Sequence, residues 1–193
     1  NENTVTGHGG DGITLDLSDS SELQDFTIDG NIVTNNGGDG IRVTTTGGQT
    51  IGNLSVSQNT DVSGNGGDGI QVILNNLVGT PDLTINNNSV TTNGGLGIAI
   101  DAIDTSVGPI SVQNNISSNN TGGDGLRVDL TSTTGAHTAD EIRIANNTVN
   151  GNSGRGIHIN DVNMSLSDVI LDLNVVNGNL GGPGVSILLE NTT

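Results

Sequence analysis

Gly37-Gly38-Asp39-Gly40-Ile41-Arg42-Val43 is one copy of a motif that recurs along the whole chain. The same Gly-Gly-x-Gly-aliphatic pattern reads Gly9 to Ile13, Gly66 to Ile70, Gly94 to Ile98, Gly122 to Leu126, Ser153 to Ile157 and Gly181 to Val185. Its last glycine falls at 12, 40, 69, 97, 125, 156 and 184, giving spacings of 28, 29, 28, 28, 31 and 28. A fixed period of this size marks a repeat architecture, in which one supersecondary unit is stacked on the next.

Each unit carries three short apolar segments. The first follows the motif with period two, as Ile13-x-Leu15, Ile41-x-Val43, Ile70-x-Val72, Ile98-x-Ile100, Leu126-x-Val128, Ile157-x-Ile159 and Val185-x-Ile187. Successive side chains of a strand point to opposite faces, so this alternation gives one apolar side. After a variable loop comes the second segment, Phe26-x-Ile28, Leu54-x-Val56, Leu83-x-Ile85, Ile110-x-Val112, Ile142-x-Ile144 and Leu171-x-Leu173. An Asn-rich turn then leads to one apolar residue, expected at Val5, Val33, Val62, Val90, Ile116, Val149 and Val176. No stretch has the i, i+3, i+4, i+7 spacing of a helix, which removes the helical repeats. A lone three-strand unit cannot bury its apolar side, but stacked units can, each strand pairing in parallel with its copy about 4.8 Å away. The expected fold is all-β, a parallel β-helix of about seven coils of 28–31 residues with three parallel sheets, roughly 34 Å long on that spacing. About five aliphatics per coil, each contributing roughly 1.5–3 kcal/mol on burial, would hold it together. The whole of residues 1–193 reads as one β-helix domain, expected to be a segment of a longer protein.

In units such as Asn88-Ser89-Val90 through Ile98 the chain resembles the right-handed parallel β-helix repeat proteins of the pectin lyase-like superfamily, and the resemblance runs from end to end. It implies a right-handed coil. It implies no single activity, because polysaccharide lyases, hydrolases, adhesins, phage tailspikes and inert stalks share the fold. Gly7-His8-Gly9, Asn59-Thr60-Asp61 and Arg143-Ile144 match fragments of polygalacturonase signatures, but in the wrong order and without the paired-Asp signature.

Composition narrows the function. Against 21 acidic side chains stand four Arg and no Lys, a net charge of −17, so the phosphate-neutralising term of nucleic-acid binding is missing. Apolar runs of four or five residues fall far short of the roughly 20 that span a bilayer, which excludes membrane insertion by a helix. Without Cys the chain has neither disulfides nor thiolate metal sites. With no Trp or Tyr and a single Phe, it lacks the rings that commonly stack on sugars.

Three sets of residues carry the chemistry. Asn31, Asn59, Asn88, Asn115, Asn147 and Asn174 recur at equivalent turns, where Asn tolerates positive φ and its amide can bond the copies above and below. They are expected to form a structural ladder. Asp11, Asp39, Asp68 and Asp124 occupy the x of the motif, a register broken by Leu96, Arg155 and Pro183. Stacked carboxylates at about 4.8 Å repel by about 1 kcal/mol per pair even in water, a charge that backbone N–H groups or a calcium ion could offset, the other reading being Asp as solvated turn formers. Calcium is accordingly the one cofactor considered. Finally, alternation turns Asp101, Arg127, Asp129 and His158 outward on neighbouring copies of the first strand. Carboxyl groups about 5 Å apart suit a retaining glycosidase, and superfamily lyases place calcium and base on this face, so these four are the candidate catalytic residues. The loop Thr131 to Asp140, with His137, is expected to wall one side of a groove there.

The leading expectation is an extracellular or cell-surface structural or adhesive β-solenoid contacting polysaccharide. The alternative is a polysaccharide lyase or glycoside hydrolase on the outer face of the first sheet. Open strand edges at the terminal coils also point to end-to-end pairing as a homo-oligomer, in a filament or trimer.

Overall fold

The computed structural model describes residues 1–18, 22–135 and 137–190. The described residues form three parallel sheets and no helix, wound as a right-handed solenoid of about seven turns. Sheet A stacks seven three-residue strands, from Thr4–Thr6 and Ile32–Thr34 up to Val175–Asn177. Sheet B stacks the seven strands that follow the Gly-rich motif, from Ile13–Leu17 to Val185–Glu190. Sheet C has six, from Glu22–Asp29 to Ser165–Asp172. Within every sheet each strand pairs with its copy one coil away, never with the next strand in sequence.

Register follows the repeat, so like stacks on like. On sheet B, Ile41, Ile70, Ile98, Leu126 and Ile157 form one inward column and Val43, Val72, Ile100, Val128 and Ile159 the next. Sheet C contributes Leu54, Leu83, Ile110 and Ile142, with Val56, Ile85, Val112 and Ile144 beside them. All are buried in one continuous core. At the last coil, Val185, Ile187 and Leu189 stay exposed.

The apolar column of sheet A departs from expectation in one coil. Ser117, not Ile116, stands in register between Val90 and Val149, and Ile116 points outward at 46% exposure. The register places Ser117 two residues after the ladder Asn115, the spacing that Val33, Val90 and Val149 keep after Asn31, Asn88 and Asn147, whereas Val62 stands three after Asn59. The Ser117 hydroxyl is accommodated there because it donates to the Gly125 carbonyl at 2.6 Å, satisfying the polar group that burial would otherwise penalise.

The last glycine of the motif is required by space. A Cβ at Gly69 would lie 2.2 Å from Val90 Cγ1, 2.8 Å from Asn93 Nδ2 and 2.8 Å from the Gly97 carbonyl. Gly12, Gly40, Gly97, Gly125 and Gly156 face equivalent obstructions. The turn packs its backbone directly on the sheet A side chain and on the neighbouring coil.

Candidate functional site

Each turn residue singled out by the repeat is tied to the coil beside it. In the first Asn ladder, the backbone N–H and Nδ2 of Asn59 donate to Asn88 Oδ1 at 3.1 and 2.8 Å. The N–H and Nδ2 of Asn88 donate in turn to Asn115 Oδ1 at 2.9 and 3.0 Å. The chain of bonds runs unbroken from Asn3 through Asn31, Asn59, Asn88, Asn115 and Asn147 to Asn174. Positive φ, however, belongs to the residue before each ladder Asn: Glu2, Gly30, Gln58, Asn87, Asn114, Asn146 and Leu173. The left-handed residue makes the corner, which frees the ladder Asn to point its amide inward.

A second ladder, which the sequence reading did not single out, runs through Asn36, Asn65, Asn93, Asn120, Asn152 and Asn179 at the other corner. The left-handed residue again comes first, as Asn35, Gly64, Thr92, Asn119, Gly151 and Gly178. Its signal is present in the repeat as the Asn one or two places ahead of the glycine pair.

The Asp column accepts hydrogen bonds from the backbone of the neighbouring coil. Asp39 N–H donates to Asp11 Oδ1 at 2.8 Å, and the N–H groups of Asp68 and Leu96 donate to Asp39 and Asp68 Oδ1 at 2.7 Å. Arg155 donates its N–H to Asp124 Oδ1 at 2.7 Å and brings Nη2 to Oδ2 at 2.9 Å, so a break in the acidic register becomes an ion pair. Burial raises the pKa of Asp39 and Asp68 above the ordinary value, with the N–H bonds working against that rise. Among the described residues no group of three or more His, Asp or Glu side chains is placed to hold a metal ion.

The outer face of sheet B brings the four candidate catalytic residues together. Asp101 pairs in register with Asp129, and Asp129 with Asn160, while Ala99, Arg127 and His158 form the adjacent row. Arg127 Nη2 donates to both oxygens of Asp101, at 2.6 and 2.8 Å, in a pair that is 27% and 15% exposed. Its Nε is buried with no acceptor. Burial pushes the Asp101 pKa up, outweighing the pull of Arg127, and Asp129 adds to the rise. Asp129 itself accepts from Asn160 Nδ2 at 2.8 Å and Thr131 Oγ1 at 3.3 Å, both neutral donors. His158 is buried, within 3.4 Å of the Ser186 carbonyl, and desolvation followed by the charge of Arg155 lowers its pKa. That favours the uncharged ring.

A depression of about 210 Å³ lies on this face, lined by Ile73, Asp101, Ile103, Asp129 and Thr131. The wall expected from the following loop is not part of it: Thr138–Ala145 already belongs to sheet C, and only Thr131 at the strand end contributes. One further acid escaped the sequence reading. Asp161 takes an inward place in the column Leu74, Ala102, Leu130, Asp161, Leu189 and is fully buried. Period two at Ile157-x-Ile159 pointed to that orientation, but the acid hid it.

Fold and site together define a right-handed parallel β-solenoid with an acidic, ladder-bound surface. The chain belongs to the family described as right handed beta helix region, whose model matches residues 1–193. No curated protein matches the sequence, and no solved structure does.

Proposed function

We propose that the chain is a structural and adhesive β-solenoid of the cell exterior, a rigid rod that presents the outer face of sheet B for contact. The observation that supports this most is the pair of Asn ladders, which carry buried hydrogen bonds from coil to coil across the molecule. The polar residues that look reactive are held by the same lengthwise stacking. Asp101 is closed by Arg127, Asp124 by Arg155, and the Asp column by N–H groups of the next coil. With both Asp101 oxygens accepting from Arg127, neither is free to hold and deliver a proton to a substrate, which disfavours the glycosidase alternative. The acidic balance suits a saline or calcium-rich exterior, where screening relieves self-repulsion. Polysaccharide is one partner class for such a surface.

The test is incubation with neutral and uronic-acid polysaccharides, with and without calcium, following retention on the insoluble glycans, absorbance at 235 nm and new reducing ends. Retention without turnover is the expected result. Unsaturated or reducing ends that disappear in Asp101→Asn or Asp129→Asn would make the protein a lyase or hydrolase and overturn the scaffold reading.

A further inference from the structure

We propose that the depression on sheet B is a binding site for a primary alkylammonium group, the side chain of a lysine presented by a basic partner protein. This deepens the adhesive reading by naming the partner's chemistry.

Charge carries the first half of the argument. Three neighbouring strands set Ile73, Asp101 and Asp129 in one outward row, and Ile103 and Thr131 in the next. The depression is therefore lined by two carboxylates and by no cation, and the neighbouring Arg127 spends its Nη2 on Asp101. Among the described residues Asp129 has only the neutral donors Asn160 and Thr131. His158, in the adjacent row, is held toward its uncharged form by burial, and the other arginines are engaged. Arg42 pairs with Asp11, Arg143 with Asp172 and Arg155 with Asp124, and there is no Lys. A second copy of these residues would bring the same engaged arginines, which points to a basic partner as the complement.

Shape carries the second half. Ile73 and Ile103 place an apolar wall beside the carboxylates, the arrangement that accepts the methylene stem of a lysine while its compact head reaches an acid. A guanidinium would bring its broad fork close to that of Arg127, whereas an ammonium is a point charge that a single carboxylate can satisfy. Calcium would want six or more oxygens, whereas the side chains lining this cavity bring five, two of them on Asp101 and already bonded to Arg127. A neutral sugar would cover Asp129 without neutralising it and would find no ring to stack on.

The test follows the isoleucine methyl resonances of the protein by NMR during titration with n-butylammonium chloride, with ammonium chloride as the control for ionic strength. Saturable shifts at Ile73 and Ile103 are expected with butylammonium and not with ammonium. Asp129→Asn should weaken binding at least tenfold, and N-acetyl-lysine amide should bind where N-acetyl-norleucine amide does not. Ile103 sits on the rim, so Ile103→Ser keeps the fold and should weaken butylammonium at least threefold. Equal affinity in parent and Asp129→Asn, or shifts reproduced by ammonium chloride, would overturn the proposal. Methyl shifts caused by a neutral oligosaccharide and not by butylammonium would reassign the depression to sugar. Glycan turnover would sink the scaffold reading whatever the amine does, while silence toward both sinks only the lysine site.

Discussion

Asn88→Ala tests whether the ladders hold the coils together. Asn88 is buried, and its side chain makes four contacts: Oδ1 accepts from the Asn59 N–H and Nδ2, and Nδ2 donates to the Val56 carbonyl at 2.9 Å and to Asn115 Oδ1 at 3.0 Å. Truncation leaves the Asn59 N–H with no acceptor in a dry turn, where water cannot easily replace the lost partner. The Val56 carbonyl loses a donor as well. Asn59 Nδ2 keeps the Ile28 carbonyl at 3.3 Å, and Asn115 Oδ1 keeps the Asn88 N–H, so those two losses are partial. With each unsatisfied buried group costing about 1–3 kcal/mol, the expected loss is about 3–5 kcal/mol. That is a large share of the roughly 5–15 kcal/mol that holds an ordinary domain. The internal control is Asn3→Ala: Asn3 is exposed and donates one side-chain bond, to an Asn31 oxygen that the Asn3 N–H also serves, so it should cost less than about 1 kcal/mol. Urea unfolding supplies the midpoints, and a changed slope would show that one end of the rod has uncoupled from the other. Hydrogen exchange at the Asn59 amide should speed up in Asn88→Ala and not in Asn3→Ala. Equal, small losses in the two variants with the Asn59 amide still protected would refute the ladder argument.

Thr92 holds a β-branched side chain at φ 56°, so Thr92→Asn, which relieves left-handed strain worth about 1–2 kcal/mol, should raise the thermal midpoint; an unchanged or lower midpoint counts against strain at that corner. Gly69→Ala should destabilise by several kcal/mol, because its Cβ meets backbone and ladder atoms that have nowhere to go, whereas Gly9→Ala meets nothing within 4 Å and should be tolerated, so matched unfolding midpoints would contradict the close approach. Asp39, Asp68 and Asp101 have pKa values raised by burial, so the folded chain takes up protons more readily than the unfolded one. Their contribution to stability therefore grows as pH falls from neutral toward the ordinary value of 3.8, while exposed Asp104, lowered by its bond from the Thr133 N–H, acts in the opposite sense. The thermal midpoint should be higher at pH 5 than at pH 7, with a smaller difference in Asp68→Asn; a midpoint that falls on acidification in both proteins would show that the buried carboxyls do not govern it.

What could be read ahead of the structure follows from the repeat. Period-two alternation and a constant interval determine both the inward face and the parallel partner of each strand, so Asp101, Arg127, Asp129 and His158 could be placed on one face from sequence position alone. Side-chain reach is not periodic. Alternation turns His158 outward, yet it is buried, as is Ala99 in the same row, which lies in register between the longer Gln71 and Arg127. Counting apolar residues also misplaced the sheet A column at Ile116, because the strand register, not hydrophobicity, puts Ser117 between Val90 and Val149 there. Asp161 was missed for the same reason in reverse, a polar residue in an apolar column.

In a solenoid the interval that stacks like on like builds ladders from Asn and a core from Ile and Val, but it also makes a uniform surface. Chemical difference arises only where a column changes residue type. The outward column through Asp16, Thr44, Ile73, Asp101, Asp129, Asn160 and Leu188 changes at almost every coil, while the inward column just before it, from Leu15 through Val72 and Val128 to Ile187, stays aliphatic throughout. Its acidic steps fall beside Arg127, and its apolar step at Ile73 falls beside an acid, which is why the depression combines a wall for a hydrocarbon stem with an unpaired charge. If that column were merely solvated, exchanging Ile73 for Thr, the residue one coil earlier, would leave butylammonium binding and overall stability unchanged. Expected instead is weaker butylammonium binding at an unchanged unfolding midpoint, since Ile73 faces outward and the core beneath it, Val72 and Leu74, is untouched.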